Sequence, residues 1–287
     1  ELLFKIKVGI KMKRFTLLAI VMVFSLILSA CGTSQKTSEG SGDSAASGEG
    51  KKKLKIATEA NYAPFVFLDK GEMKGFDVDF MNAVAKEAGY EFEMVNVGWD
   101  PLFVEVKDKL SDMGICAITI NDVRSETYDF SVPYYLSTNE ILVPEGSDIK
   151  SAADLKNDKV VAVLGGTTGE AAVEKILGLN NKNIKKFDNN NLAILELTSG
   201  GADAVVADNA VVQAYAQNNP NDKLNVISDK EGFENEFYGL MFPKGSELKA
   251  DFDVAVTEVL KNGTYTEIYK KWFGVEPDVE TILAQQK

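Results

Sequence analysis

Val160 to Ala207, VVAVLGGTTGEAAVEKILGLNNKNIKKFDNNNLAILELTSGGADAVVA, reads as strand, turn, helix, strand, helix, strand. Val160–Leu164 is a short β-rich run, and Gly165-Gly166-Thr167-Thr168-Gly169 breaks it. A helix is predicted over Glu170–Leu177, a strand over Ile184–Phe187, a helix over Leu192–Ser199 and a strand over Ala204–Ala207. Short β-rich runs alternating with helical patterns are the signature of α/β architecture. With one more helix, Asn209–Gln217, this stretch can form its own sheet and core.

The same grammar recurs upstream. Leu54–Ala57 is a predicted strand, Asp77–Ala88 a helix with Asp77 or Asp79 at its start and Gly89 as its stop, and Glu91–Val97 a second strand. Pro101–Leu110 follows as a helix and Met113–Ile118 as a third strand. Downstream come a strand at Leu224–Ile227, an extended run at Phe237–Phe242 and two terminal helices ending near Phe273. A duplicated pattern of this length predicts two lobes of similar design rather than one long sheet. Pattern alone does not say which lobe takes the terminal helices.

A chain of 287 residues, 45% apolar and 26% charged, has the composition of a globular protein with room for two cores. It carries 31 basic and 43 acidic side chains. Without residues 1–30, which hold five of the basic residues and one acid, the balance is 26 against 42, a net of −16. An acidic surface of this kind argues against nucleic acid as a partner. The sequence has no histidine, which removes His-dependent acid–base, triad and zinc chemistry together. Of the two cysteines, Cys116 lies in an apolar strand and reads as a buried small residue, while Cys31 sits where processing would use it, so a structural disulfide is not expected.

From Met12 the chain runs Lys13-Arg14, an apolar stretch from Phe15 to Ala30, then Cys31-Gly32. A basic start, a short apolar core and small residues before a cut define a secretory signal. The apolar run is shorter than the roughly 20 residues of a spanning helix. Leu28-Ser29-Ala30-Cys31 resembles the lipobox of bacterial lipoproteins, which implies a diacylated Cys31 as the new N-terminus. Residues 31–53 beyond it are rich in Gly, Ser and charge and read as a flexible linker, reaching on the order of 25 Å as a random coil.

Ligands of open α/β sheets bind beyond the carboxyl ends of strands, so polar and aromatic residues at those junctions are the candidates. Arg124 follows the third strand in Thr119-Ile-Asn-Asp-Val-Arg124; its guanidinium matches a carboxylate with two parallel hydrogen bonds, and Thr119 can add a hydroxyl. The alternative is a surface arginine paired with Asp122 or Glu126. The Gly165–Gly169 turn offers backbone N–H groups to an anion at a helix start, but lacks the lysine of a P-loop and the spacing of a dinucleotide fingerprint. Asp208 ends a strand, where its carboxylate can face an ammonium or cap the next helix. Glu59, Tyr62 and Trp99 also follow strands; the rings can flank an alkyl or cationic side chain, and Glu59 can read its terminus, although packing is the alternative for each. Tyr134-Tyr135 is either core or hinge.

Taken in order, Ala57–Phe65, Gly75–Asp79, Ile118–Arg124, Asp129–Tyr135, Gly166–Gly169, Ala202–Asp208 and Asn262–Phe273 resemble the polar amino acid solute-binding proteins of ABC importers, solute-binding protein family 3, from about Leu54 to Asp278. The resemblance implies an α/β fold of the periplasmic-binding-protein type II, a two-lobed Venus flytrap with two open mixed sheets flanked by helices and joined by two hinge crossovers. It implies residues 54–133 plus 239–287 as the first lobe, 139–233 as the second, and hinges at 134–138 and 234–238. It further implies that Arg124, Thr119 and the backbone at Thr168 hold a ligand α-carboxylate, that Asp208 and the Ala117 carbonyl take its α-ammonium, and that Tyr62, Trp99 and Glu59 meet its side chain. Ala117 stands where many relatives carry Gly or Ser, and Leu164 where several place a polar residue.

The function so implied is a non-enzymatic, cofactor-free and metal-free binding protein. It would act as a monomer held by its lipid on the outer face of a one-membrane cell and pass a free amino acid to the permease. Glu59 favours arginine or lysine, with glutamine or cystine as alternatives. A dehydratase of the cyclohexadienyl type is the enzymatic alternative, with Glu59 and Asp208 as its acid and base.

Overall fold

The computed structural model describes residues 53–286. The expected signal segment, Cys31 and all of the linker but Lys53 lie outside the described residues. Among the described residues no helix is long and apolar enough to cross a membrane.

The chain opens with β1 (Leu54–Thr58), the small strands β2 (Asn61–Tyr62), β3 (Val66–Asp69) and β4 (Glu72–Lys74), helix α1 (Phe76–Ala88), β5 (Phe92–Asn96) and α2 (Trp99–Lys107). A two-residue β6 (Met113–Gly114), a one-turn α3 (Asp122–Ser125) and β7 (Tyr128–Phe130) follow. The long β8 (Tyr135–Pro144) leads into β9 (Val161–Leu164), α4 (Thr168–Leu177), β10 (Ile184–Phe187), α5 (Asn190–Thr198), β11 (Ala204–Asp208), α6 (Asn209–Asn218) and β12 (Leu224–Ile227). The return runs through β13 (Asn235–Tyr238) and β14 (Met241–Pro243) to α7 (Leu248–Lys261), α8 (Thr264–Phe273) and α9 (Val279–Ala284).

Two mixed sheets result, in the order β5-β1-β6-β14-β7 and β10-β9-β11-β8-β12. In each the three strands at one side run parallel, as crossover helices require, and an antiparallel strand joins them. The molecule is a two-lobed α/β protein. β13 pairs antiparallel with the first half of β8, Asn235 opposite Thr138 and Tyr238 opposite Tyr135, so the two passages between the lobes run side by side as one ribbon.

Helix α1 shows how local sequence sets the first lobe. Phe76, Phe80, Met81 and Val84 recur at helical spacing and are fully buried, each contributing about 1.5–3 kcal/mol by leaving water. Gly75 precedes the helix at φ +139°, where a Cβ would stand 1.9 Å from the Phe65 carbonyl oxygen, so only glycine fits. Helices α7 and α8 pack on α1, which places the C-terminal segment on the first sheet.

Four expectations need correction. Helix α1 begins at Phe76 with no side-chain cap, and Asp77 is buried with another task described below. Helix α2 begins at Trp99, two residues before Pro101, which suits proline's tolerance of a first helical turn. The third strand, expected to run to Ile118, stops at Gly114, because the backbone turns at Ala117 with φ +47°. A third terminal helix, α9, follows the expected two.

Candidate functional site

The carboxyl end of β1 and the segment after β6 meet at the edge of the first sheet. The Thr58 hydroxyl donates to the Ile115 carbonyl at 2.7 Å, and the buried Cys116 thiol lies 3.5 Å from the Glu59 carbonyl. Burial pushes the Cys116 thiol up, which leaves it an inert packing group. Ala117 holds a left-handed conformation that costs a non-glycine residue free energy. Asp77 compensates: its Oδ2 accepts the Ala117 N–H at 2.8 Å and its Oδ1 the Tyr134 hydroxyl at 2.9 Å. Burial raises the Asp77 carboxyl to about 7 while these two bonds oppose the rise. An acid expected to cap a helix therefore braces the left-handed turn at Ala117 and ties it to the entry of β8.

Arg124 is positioned by its own short helix. Asn121 caps α3 by accepting the Arg124 N–H at 2.9 Å, and Arg124 Nη1 donates back to the Thr119 carbonyl at 2.9 Å. The guanidinium lies over Trp99 and Phe103, 5.5 and 5.2 Å from their ring centroids. Its second nitrogen crosses to the other lobe and donates to the Gly166 carbonyl at 3.2 Å. Arg124 thus has cleft partners and not the surface pairing with Asp122 or Glu126.

From the second lobe, Thr167 caps α4 by accepting the Glu170 N–H, which sets Thr168 at the first helical position. The anion-binding potential of the glycine turn is partly used internally, since Gly166 N–H donates to Glu170 Oε2 at 2.6 Å. Gly166 itself has φ +73°, and a Cβ there would meet Trp99 Nε1 at 3.2 Å and Asp100 Oδ1 at 3.4 Å, so a bare backbone is what lets the lobes approach. Asp208 occupies the N-cap position of α6 but makes no side-chain cap bond. Its Oδ2 instead accepts the Tyr62 hydroxyl at 2.6 Å and the Tyr238 hydroxyl at 2.7 Å. Burial, and next the Glu236 carboxylate, push the Asp208 carboxyl up to about 7.

The rings of Tyr62 and Trp99 lie parallel within 10°, their centroids 6.4 Å apart. Near them Glu59 is only 2% exposed, and its Oε2 is buried without a hydrogen-bond partner; the same holds for Trp99 Nε1. Burial raises Glu59 to about 7, with the Asp100 carboxylate adding to the rise. On either side of Trp99 lie two clefts between the lobes. One, about 420 Å³, is lined by Phe103, Arg124, Gly166 and Thr168 among others; the second, about 480 Å³, is lined by Asp100, Leu164, Lys186 and Phe187 among others. Both are of the size of small-molecule sites. Among the described residues there is no cluster of three metal-ligating side chains.

Of the eight candidates drawn from the sequence, Tyr62, Trp99, Thr119, Arg124, Thr168 and Asp208 lie where the lobes meet, while Glu59 stands near Tyr62 and Asp100 and Ala117 is held by Asp77, both within the first lobe. Glu236 was not among them, yet it stands at the centre. Its Oε2 accepts the hydroxyls of Thr119 at 2.7 Å and Thr168 at 2.8 Å, and its Oε1 accepts Asn139 Nδ2 at 2.7 Å. Tyr238, two residues on, was also missed. The only signal in the sequence was an acid two residues before an aromatic in the expected second crossover.

The profile of the bacterial extracellular solute-binding proteins, family 3, matches residues 54–275. A probable histidine-binding protein of Neisseria gonorrhoeae is 38% identical over 254 residues, 88% of this chain and 92% of its own length. The arginine-binding extracellular protein ArtP of Bacillus subtilis is 32% identical over 264 residues, 91% of this chain and 98% of its own. Among solved structures, the arginine-, lysine-, histidine-binding protein ArtJ of Geobacillus stearothermophilus superposes with a TM-score of 0.79 at 51% identity, covering 81% of this chain and all of its own. With a matching profile across both lobes and relatives matched over nearly their full length, the chain belongs to the bacterial extracellular solute-binding proteins of family 3.

Proposed function

We propose that this chain captures a free α-amino acid with a basic side chain, arginine or lysine before glutamine, and delivers it to an ABC-type permease. The observation that carries the reading is the buried Glu59 carboxyl with an unpartnered oxygen beside Asp100, near the aromatic pair whose Trp99 also carries the Arg124 guanidinium over its ring. A buried polar atom without a partner is rare in folded proteins and a cation satisfies it. Arg124 with the backbone at Thr119 and Thr168 would take the α-carboxylate, Asp208 and the Ala117 carbonyl the α-ammonium, and Tyr62 and Trp99 the side chain.

Residues 54–133 with 239–287 would act as one rigid lobe and 139–233 as the other, closing about 134–138 and 234–238. Hydrogen bonds already span the lobes, Tyr62 to Asp208 and Arg124 to Gly166, and they must open to admit a ligand. A ligand drives closure only by contacts it gains in the closed form, which residues on opposing lobes supply. A lipid on Cys31 would keep this monomer beside the permease on the outer face of a one-membrane cell; Cys31→Ser should then move the protein from the membrane fraction to the medium. Dehydration of a cyclic precursor by Glu59 and Asp208 ranks second, because the relatives reported above are named for binding.

Isothermal titration calorimetry with L-arginine, L-lysine, L-histidine, L-glutamine and L-glutamate tests the ligand class. Basic amino acids should bind tightest. Glutamate above the basic ones would reject the assignment.

A further inference from the structure

Glu236 changes the chemistry of the residues it touches. A carboxylate only accepts hydrogen bonds, so the hydroxyl hydrogens of Thr119 and Thr168 are both committed to its Oε2. Each hydroxyl is then left with lone pairs alone to offer a ligand. Such a pair repels a carboxylate and suits an ammonium.

The surrounding charges agree. Glu236 lies close enough to Asp208 to push its carboxyl up, and both carboxylates lie within range of the Arg124 guanidinium. Asp208 is further held by the Tyr62 and Tyr238 hydroxyls, and Asn139 fixes the second Glu236 oxygen. Two carboxylates on adjoining passages of the chain, the end of β11 and β13, concentrate negative charge beside Thr119, Thr168 and Tyr62, where the lobes meet. An α-ammonium has three N–H donors, and Asp208 with the Ala117 carbonyl accounts for two.

We infer that Glu236 is a specificity-determining residue that makes this junction of the lobes an ammonium site, by holding the Thr119 and Thr168 hydroxyls as acceptors and adding its charge to that of Asp208. Recognition of the α-carboxylate then falls to Arg124 and backbone N–H groups, not to the threonine hydroxyls. This inference rests on the amino-acid-binding reading above and refines it. Because β13 is one of the two passages between the lobes, the same residue couples ligand charge to the ribbon that must bend.

The test is calorimetric titration of the wild type and Glu236→Gln with L-arginine, L-lysine and L-glutamine, each beside its deamino counterpart: 5-guanidinopentanoic acid, 6-aminohexanoic acid and glutaramic acid. In Glu236→Gln, affinity for the amino acid that binds wild type tightest should fall about ten-fold, the worth of one charge-assisted hydrogen bond. Affinity for its deamino counterpart should stay level or rise. A parallel fall of both would mean a merely structural role and overturn the inference, as would no change in either. If Glu236→Gln does not fold by circular dichroism, Thr119→Val reads the same ratio, because it removes one of the acceptors. A wild type that binds none of the six would overturn the amino-acid reading itself.

Discussion

The two lobes share a sheet plan but not a core. The first is built on aromatic rings: Phe65, Phe76, Phe80, Tyr134, Tyr135 and Tyr265 are each no more than 2% exposed and stack or meet edge to face at centroid distances from 4.5 to 6.4 Å. The second fills both faces of its sheet with Val, Ile, Leu and Ala, and Phe233, 4% exposed, is the one ring among the buried residues of its core clusters. The site is divided just as unequally. Six of the eight candidates, Glu59 through Arg124, come from the aromatic lobe, and Thr168 and Asp208 from the aliphatic one. Large flat side chains with few rotamers make a stiff platform, and a stiff platform can hold Arg124, Glu59 and the strained Ala117 turn ready for a ligand. The lighter lobe contributes a bare glycine turn and a capped helix start, parts suited to closing onto something already held.

That contrast can be broken at several points. The largest effect should come from the platform: Phe76→Ala should lower stability by about 3–5 kcal/mol, whereas Ile141→Val in the second lobe should cost about 0.5–1.5 kcal/mol, both read by urea unfolding. A cost below about 2 kcal/mol for Phe76→Ala would mean the aromatic platform is loosely packed. Next, Arg124→Ala should weaken amino acid binding by at least about 100-fold with little change in Tm, because it removes the bidentate contact proposed for the ligand α-carboxylate. Thr168→Ala should weaken it by less than about ten-fold, and equal losses would erase the docking-and-closing division.

The pH dependence is the third. Glu59, Asp77 and Asp208 are raised from 4.5 and 3.8 to about 7, so between those values the folded chain binds protons that the unfolded chain has released. Stability without ligand should therefore be full below about pH 4 as far as these groups are concerned, and should fall as pH rises towards 7. Ligand cations favour the ionised forms of Glu59 and Asp208, so affinity should move oppositely, rising from pH 5.5 to 8. Thermal melts with and without L-arginine measure both slopes. The smallest effect belongs to Gly166→Ala: a left-handed alanine pressed towards Trp99 should raise Kd about five-fold through the closed form.

The lobed α/β plan was legible in the sequence because it rests on periodicity, and most of the helices and strands that were expected end within two residues of their predicted bounds, whereas β2, β3, β4, β7 and β8 were not expected. What failed did so where distant parts meet. Asp77 looks like a helix-start acid in its own segment; only the fold brings the Ala117 N–H and the Tyr134 hydroxyl to it. The strand after Met113 looks continuous, and nothing local announces that Ala117 turns left-handed. Glu236 lies 117 residues from Thr119 and 68 from Thr168, so no spacing rule could join them. The eight candidates were chosen for the opposite reason, since local pattern put each of them at or after the end of an expected strand.

A crystal structure of the protein with L-arginine tests the central claim most directly. The α-carboxylate should lie on Arg124, the α-ammonium against Asp208 and the side-chain guanidinium along Tyr62 and Trp99 towards Glu59. An arginine bound in the reverse sense, or seated outside the cleft, would contradict it.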